Sequence, residues 1–322
     1  MSSEYVQNHL KASLSKEIVE GITSAKISDR RLVVVFDATG KSAESRAKIE
    51  VEIERVAYTM EGVSTVNVAM VAEKASRRII AIGSGKGGVG KSTLTTNLAV
   101  ALRKLGTNVG VVDADIYGPS QPKLLKTEGM KPTAAGEKLI PVMSNYGVPV
   151  LSMGFLVKPS QALAWRGPMA GNALSQLIDA EWGETDVLLI DLPPGTGDVQ
   201  LSMLQKHKPE GAILVSTPQD LALIDAARAG QLFEQSEVPI IGLVENMAGY
   251  ACPHCGEISD PFGSGGFEAM AKRIEIPFLG RISLSPAIRT AGDVGVPPAA
   301  GNNSDGEAFV RIAHELKKWL EY

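Results

Sequence analysis

The rhythm of apolar positions changes once along this chain, near residue 78. Before that point residues 6–19 and 43–60 carry apolar side chains at helical spacing, and 31–37 and 63–71 read as strand runs. A small α+β domain over residues 1–73 is expected, followed by a polar, charged linker at 74–78. Beyond it, short apolar runs at 79–82, 109–112, 187–190, 212–215 and 240–244 alternate with helical patterns at 93–105, 169–180, 199–206 and 221–235. That alternation predicts an α/β domain over 79–322, built on a mostly parallel, helix-covered sheet. Residues 117–168 break the rhythm with seven prolines and are expected to cover one mouth of the sheet. Residues 306–322 carry one apolar face and are expected to dock as a terminal helix.

The run at 79–82 leads into Gly85, Lys86, Gly87, Gly88, Val89, Gly90, Lys91 and Ser92, which fit G-x-x-x-x-G-K-[ST], and a helical pattern follows from Thr93. Strand, glycine-rich loop and helix in that order are what a phosphate-binding loop requires. Glycines lack Cβ, so the backbone turns its N–H groups inward around an anion. The helix N-terminus adds positive potential, Lys91 reaches the β and γ phosphates, and the Ser92 hydroxyl is a candidate Mg²⁺ ligand. A nucleoside triphosphate is the expected ligand. Lys86 sets a second lysine beside it, either as a phosphate contact or as a solvated loop side chain.

Two of the strand runs end in acids. The run at 109–112 leads into Asp113 and Asp115, and the run at 187–190 into Asp191 and the turn PPGTGD. The carboxyl ends of parallel strands open onto one crevice, where carboxylates hold Mg²⁺ and orient an attacking water. Asp191 is the candidate on the metal side, Asp115 the candidate for the water, and Asp113 supports either. Gly195 and Gly197 give the turn freedom to move when a phosphate leaves. Asn246, just past the 240–244 run, is placed either for a purine edge or for capping a turn.

Charge and cysteine content narrow the picture further. A net charge of −4 gives no support for a nucleic-acid-coating protein, and no run of ~18 apolar residues suggests a membrane span. No secretory leader is legible, so a soluble, cytoplasmic protein is expected. The two cysteines, Cys252 and Cys255, stand as C-x-x-C around Pro253 and His254. Four readings compete for them: an iron-sulfur cluster, zinc with or without His254, a thiol redox pair, and an inert pair. Two thiolates are half of a Cys₄ set, so full ligation asks for a second copy, with the metal on the axis of a homodimer.

Taken together these motifs resemble a known family. GKGGVGKST with Lys86 resembles the deviant Walker A loop of the MinD/ParA-type P-loop ATPases. DADIYGPS, DLPPGTGD, STPQD and ENMAGYACPHCG are similar to the Mrp/ApbC branch of ATP-dependent iron-sulfur cluster carriers. The likeness spans about residues 78–322. It implies ATP and Mg²⁺ as ligands, Lys86 reaching the partner subunit's nucleotide, Asp115 beside the attacking water, and Asp191 as the Walker B acid. It further implies Asn246 on adenine, and Cys252 and Cys255 bridging a [4Fe-4S] cluster destined for apo iron-sulfur proteins, with cluster assembly factors as further partners. No arginine finger is assignable from the sequence, so slow hydrolysis is expected. Residues 1–73 are similar to a MIP18-like domain, without its cysteine. The competing functions are a positioning or partition ATPase of the MinD/ParA kind, a zinc-bridged dimeric ATPase and a thiol-disulfide oxidoreductase.

Overall fold

The computed structural model describes residues 3–38, 41, 43–71, 77–156, 167–252 and 254–321. The chain divides into two compact units, Met1–Ser76 and Arg77–Tyr322. Of the expected linker at 74–78, residues 74–76 lie outside the described residues, and Arg78 already opens a strand.

The first unit runs α1 (Ser3–Ser13), α2 (Lys16–Gly21), β1 (Ile22–Ser28), β2 (Arg31–Asp37), α3 (Ala43–Ala57) and β3 (Thr65–Val71). The helix expected at 6–19 is two helices, because Ser15 takes an extended backbone, ψ 151°, at the N-cap position of α2 instead of continuing α1. β1 pairs antiparallel with β2, which pairs parallel with β3. The alternating side chains Leu32, Val34 and Phe36 of β2 face a core shared with Val6, Leu10 and Ile53.

In the second unit β4 (Arg78–Gly83), α4 (Lys91–Lys104), β5 (Val109–Asp113) and α5 (Gln121–Leu124) come first. The proline-rich stretch holds a hairpin of β6 (Thr133–Ala135) and β7 (Lys138–Ile140), then β8 (Val142–Met143), β9 (Pro149–Ser152) and α6 (Met153–Leu156). The helix–strand alternation resumes with α7 (Gly167–Ile178), β10 (Val187–Asp191), α8 (Asp198–Lys206), β11 (Gly211–Ser216), α9 (Asp220–Gln235) and β12 (Ile240–Asn246). A small hairpin, β13 (Tyr250–Ala251) and β14 (Ile258–Ser259), precedes α10 (Gly266–Arg273), β15 (Phe278–Ile282), α11 (Pro286–Asp293) and α12 (Ser304–Leu320).

Eight of these strands form one sheet in the order β15-β12-β11-β4-β10-β5-β9-β8, parallel except for the β8–β9 pair. Its central strands are buried on both faces, and their side chains alternate between two cores. Ile80, Ile82, Val111 and Leu189 pack with α4 and α12 on one side, whereas Ala81, Val112, Leu188 and Ile190 pack with α7 and α9 on the other. Each buried Leu or Ile stabilises the fold by roughly 1.5–3 kcal/mol. β4 sits between β10 and β11, so the loop after it opens at the middle of the sheet's carboxyl edge.

Gly85 ties that loop to α9. A Cβ at this position would lie 2.1 Å from the carbonyl carbon of Asp225, leaving no room for any side chain. Gly85→Ala is expected to cost about 1–3 kcal/mol by forcing α9 away. Urea titration should show a lower midpoint at unchanged slope, and an unaltered midpoint would contradict this packing.

Candidate functional site

The phosphate loop owes its shape to its glycines. Gly88 and Gly90 adopt φ of +80° and +84°, which L side chains rarely tolerate. Gly87 would give a Cβ little to meet, the nearest atom being a Pro194 ring carbon at 3.8 Å, so the loop faces open space there. α4 starts at Lys91 directly after Gly90, aiming its N-terminal N–H groups and positive potential at that space. The Ser84 carbonyl accepts a hydrogen bond from the Gly195 N–H at 3.0 Å, joining the loop to the PPGTGD turn.

Asp191 ends β10 with its side chain fully buried. Its Oδ1 takes a close ion pair from Lys91 Nζ and a hydrogen bond from the Thr95 hydroxyl at 3.3 Å, and Oδ2 accepts from Gln121 Nε2 at 2.8 Å. Ser92 stands beside them, its hydroxyl 3.5 Å from Lys91 Nζ. Asp113 lies opposite Asp191 in register, also fully buried. It accepts from the N–H groups of Asp115, Ser120 and Gln121 and from the Ser152 hydroxyl at 2.9–3.2 Å. Burial, and then the Asp191 carboxylate, push Asp113 up to about 7 against the pull of those donors. Asp115 is half-buried and accepts from the Tyr117 and Gly118 N–H groups, both at 3.0 Å, closing a turn.

Lys86 reaches the side chain of Gln219, which caps α9, at 3.0 Å within the same chain. Asn246 is the last residue of β12 and not a loop residue beyond it, because the β12–β15 pairing runs on to that position. Its Nδ2 donates to the Val89 carbonyl at 2.8 Å, so the amide braces the phosphate loop. Gly90 and Asn246 line a cavity of about 280 Å³ whose wall mixes the apolar Leu124, Leu284 and Ile288 with the charged Lys123, Arg289 and Asp293. A planar apolar group with polar edges suits that lining.

Cys252 and Cys255 are both free thiols on the turn between β13 and β14. The turn is closed by Cys252 N–H to the Glu257 carbonyl at 2.9 Å and Gly256 N–H to the Cys252 carbonyl at 2.8 Å, with Gly256 at φ +74°. Pro253 lies outside the described residues. Cys252 is half-buried and Cys255 exposed. The backbone N–H groups of Cys255 and His254, together with the Cys255 thiol, hold the Cys252 thiol below the usual cysteine range. Among the described residues no three Cys, His, Asp or Glu side chains gather into a metal site. Among the described residues, one chain therefore offers two thiols and no third ligand beside them.

The sequence reading passed over Gln121, Thr95 and Ser152. Each lies where the pattern gives no cue, and only the packing of α4, α5 and β9 onto the strand ends brings them to the two acids.

A glycine loop between the central strand and a helix, a buried lysine–aspartate pair and a second acid at the next strand end define a P-loop NTPase. Residues 75–317 match the family described as ParA, NUBPL iron-transfer P-loop NTPase. The chain belongs to that family. It is 42% identical over 245 residues to an iron-sulfur cluster carrier protein of Methanocaldococcus jannaschii, covering 75% of this chain and 84% of that one. It is 38% identical to an iron-sulfur cluster carrier protein of Synechocystis over 94% of this chain and 92% of its relative. Among solved structures, a nucleotide-binding protein from Archaeoglobus fulgidus in complex with ADP is 40% identical, with a TM-score of 0.62, over 72% of this chain and 91% of that one. The septum site-determining protein MinD of Pyrococcus horikoshii, complexed with Mg-ADP, is 27% identical with a TM-score of 0.58, over 76% of this chain and 97% of that one.

Asp113 makes stability depend on pH. Its folded value of about 7 exceeds the ordinary 3.8, so between those values the unfolded chain holds fewer protons and stability falls as pH rises. The contribution is full below about pH 4 and lost through about pH 7, amounting to a few kcal/mol in order of magnitude. Denaturation of the nucleotide-free protein across this range should show the decline, and Asp113→Asn should remove that component. Equal pH slopes in the two proteins would contradict it.

Proposed function

We propose that this protein is an ATP-binding and ATP-hydrolysing carrier of iron-sulfur clusters, active as a homodimer. The observation that carries the reading is a complete phosphate loop in a chain whose two cysteines share one exposed turn. ATP enters with its phosphates on the N–H groups of residues 85–93. Lys91 then exchanges the Asp191 carboxylate for phosphate oxygens, and Asn246 lies at the wall of the base cavity. The hydroxyl of Ser92 and the carboxylate of Asp191 are hard oxygen donors suited to Mg²⁺ and would hold it. Bound there, Mg²⁺ neutralises phosphate charge. Asp115, on the loop between β5 and α5, orients the attacking water, and Lys86 leaves Gln219 to reach the partner's nucleotide.

The cargo in this reading is a [4Fe-4S] cluster held by Cys252 and Cys255 from each of two copies. Exposure of Cys255 suits release to an apo-protein, and a depressed Cys252 thiol favours the thiolate that ligation needs. The unit at 1–73 contains no cysteine, so ligation falls to the turn alone.

Replacement of both Cys252 and Cys255 by Ser is expected to abolish iron and sulfide incorporation on anaerobic reconstitution while leaving ADP affinity unchanged. Iron and sulfide retained by the double variant would overturn the reading. Zinc without sulfide in the wild-type protein would replace it with a zinc-bridged dimer.

A further inference from the structure

We propose that Gln121 is a positioning residue that holds the Asp191 carboxylate in place for hydrolysis and ties it to the loop carrying Asp115. The assignment rests on the ATPase reading above.

Gln121 is 0% exposed, and a buried amide is tolerated only when its polar atoms find partners. Its Nε2 donates to Asp191 Oδ2 at 2.8 Å and to the Ser92 carbonyl at 3.1 Å, and its Oε1 accepts from the Thr96 hydroxyl at 2.6 Å. Its backbone N–H donates to Asp113 Oδ2 at 3.0 Å. Chemistry fixes the amide's direction, because the reversed group would set its oxygen against a carboxylate and a carbonyl, both acceptors. One residue therefore grips α4 at two points and touches both strand-end acids.

Its place in the chain gives those contacts a consequence. Among the described residues Gln121 is the one donor to Asp191 Oδ2, whereas Oδ1 takes Lys91 and Thr95. When a nucleotide draws Lys91 to its phosphates, Gln121 and Thr95 remain to fix the carboxylate. Gln121 also opens α5, directly after the loop in which Asp115 closes its turn on Tyr117 and Gly118. A shift of that loop reaches Asp191 through this side chain. A residue that merely filled space would be replaceable by one of equal volume without loss of turnover.

The full chain is tested as wild type, Gln121→Leu and Gln121→Glu, by steady-state ATP hydrolysis against ATP and Mg²⁺, ADP affinity, and thermal melting as a check of folding. Gln121→Leu is expected to lower kcat by about 10–100-fold, the scale of a misplaced catalytic group, with ADP affinity within about 3-fold of wild type. Gln121→Glu keeps the side chain's shape, but its carboxyl offers at most one O–H where the amide gave two N–H donors, so it cannot serve Asp191 Oδ2 and the Ser92 carbonyl together. Its kcat is expected to fall by a similar factor with ADP affinity again within about 3-fold, a split between turnover and binding that a space-filling role would not produce. If Gln121→Leu does not fold, the isosteric Gln121→Glu carries the test. Folded variants with wild-type kcat would overturn the assignment while leaving the ATPase reading intact. A wild-type protein that hydrolyses no ATP would overturn the ATPase reading, and this one with it.

Discussion

Two carboxylates stand side by side at the buried edge of one sheet, and the site is arranged around making that tolerable. Asp113 and Asp191 are paired in register, and neither touches solvent. Burying one charge without partners is costly, and burying two of like sign beside each other is worse. The structure answers with Lys91 as counterion, with the hydroxyls of Thr95 and Ser152, with the Gln121 amide, and with backbone N–H groups from residues 115, 120 and 121. The phosphate loop, α4, the loop after β5 and β9 are thereby pinned to the same pair of acids. In this fold, what compensates the charges also assembles the site.

That arrangement gives Lys91 two employments. In the structure it neutralises Asp191, and in the ATPase reading we propose a triphosphate competes for its ammonium group. The acid it leaves behind must then be held by neutral donors. The phosphate loop, the strand ends and the loop after β5 are thus linked through one set of hydrogen bonds and ion pairs.

What the sequence made legible follows the physics of burial. Strands covered on both faces read as unbroken apolar runs, so β4, β5, β10, β11 and β12 stood out, and the glycine pattern between β4 and α4 marked the phosphate site. β1, ITSAKIS, escaped because polar side chains fill its half-exposed face. β8 escaped because it is two residues long, β9 because it is four and opens on Pro149, and β15 because Gly280 interrupts its five. Gly85 read as part of a phosphate cradle, yet its lack of a side chain is dictated by the backbone of α9, more than a hundred residues away. Gln121 and Ser152 are ordinary residues in a proline-rich stretch, and their roles exist only once tertiary packing brings them to the acids. Asn246 was legible as a polar residue near a strand end, and its hydrogen bond to Val89 was not.

The cysteine turn is the opposite case, plain in the sequence and incomplete in the chain. Cys252 and Cys255 are two free thiols on one small hairpin, and no third ligand gathers beside them among the described residues. In the function we propose, a cluster is held only when two copies meet and released when they part. Native mass spectrometry of the anaerobically reconstituted full chain tests that stoichiometry most directly. Two chains carrying a single [4Fe-4S] unit are expected, whereas a lone chain carrying the cluster would contradict the shared site.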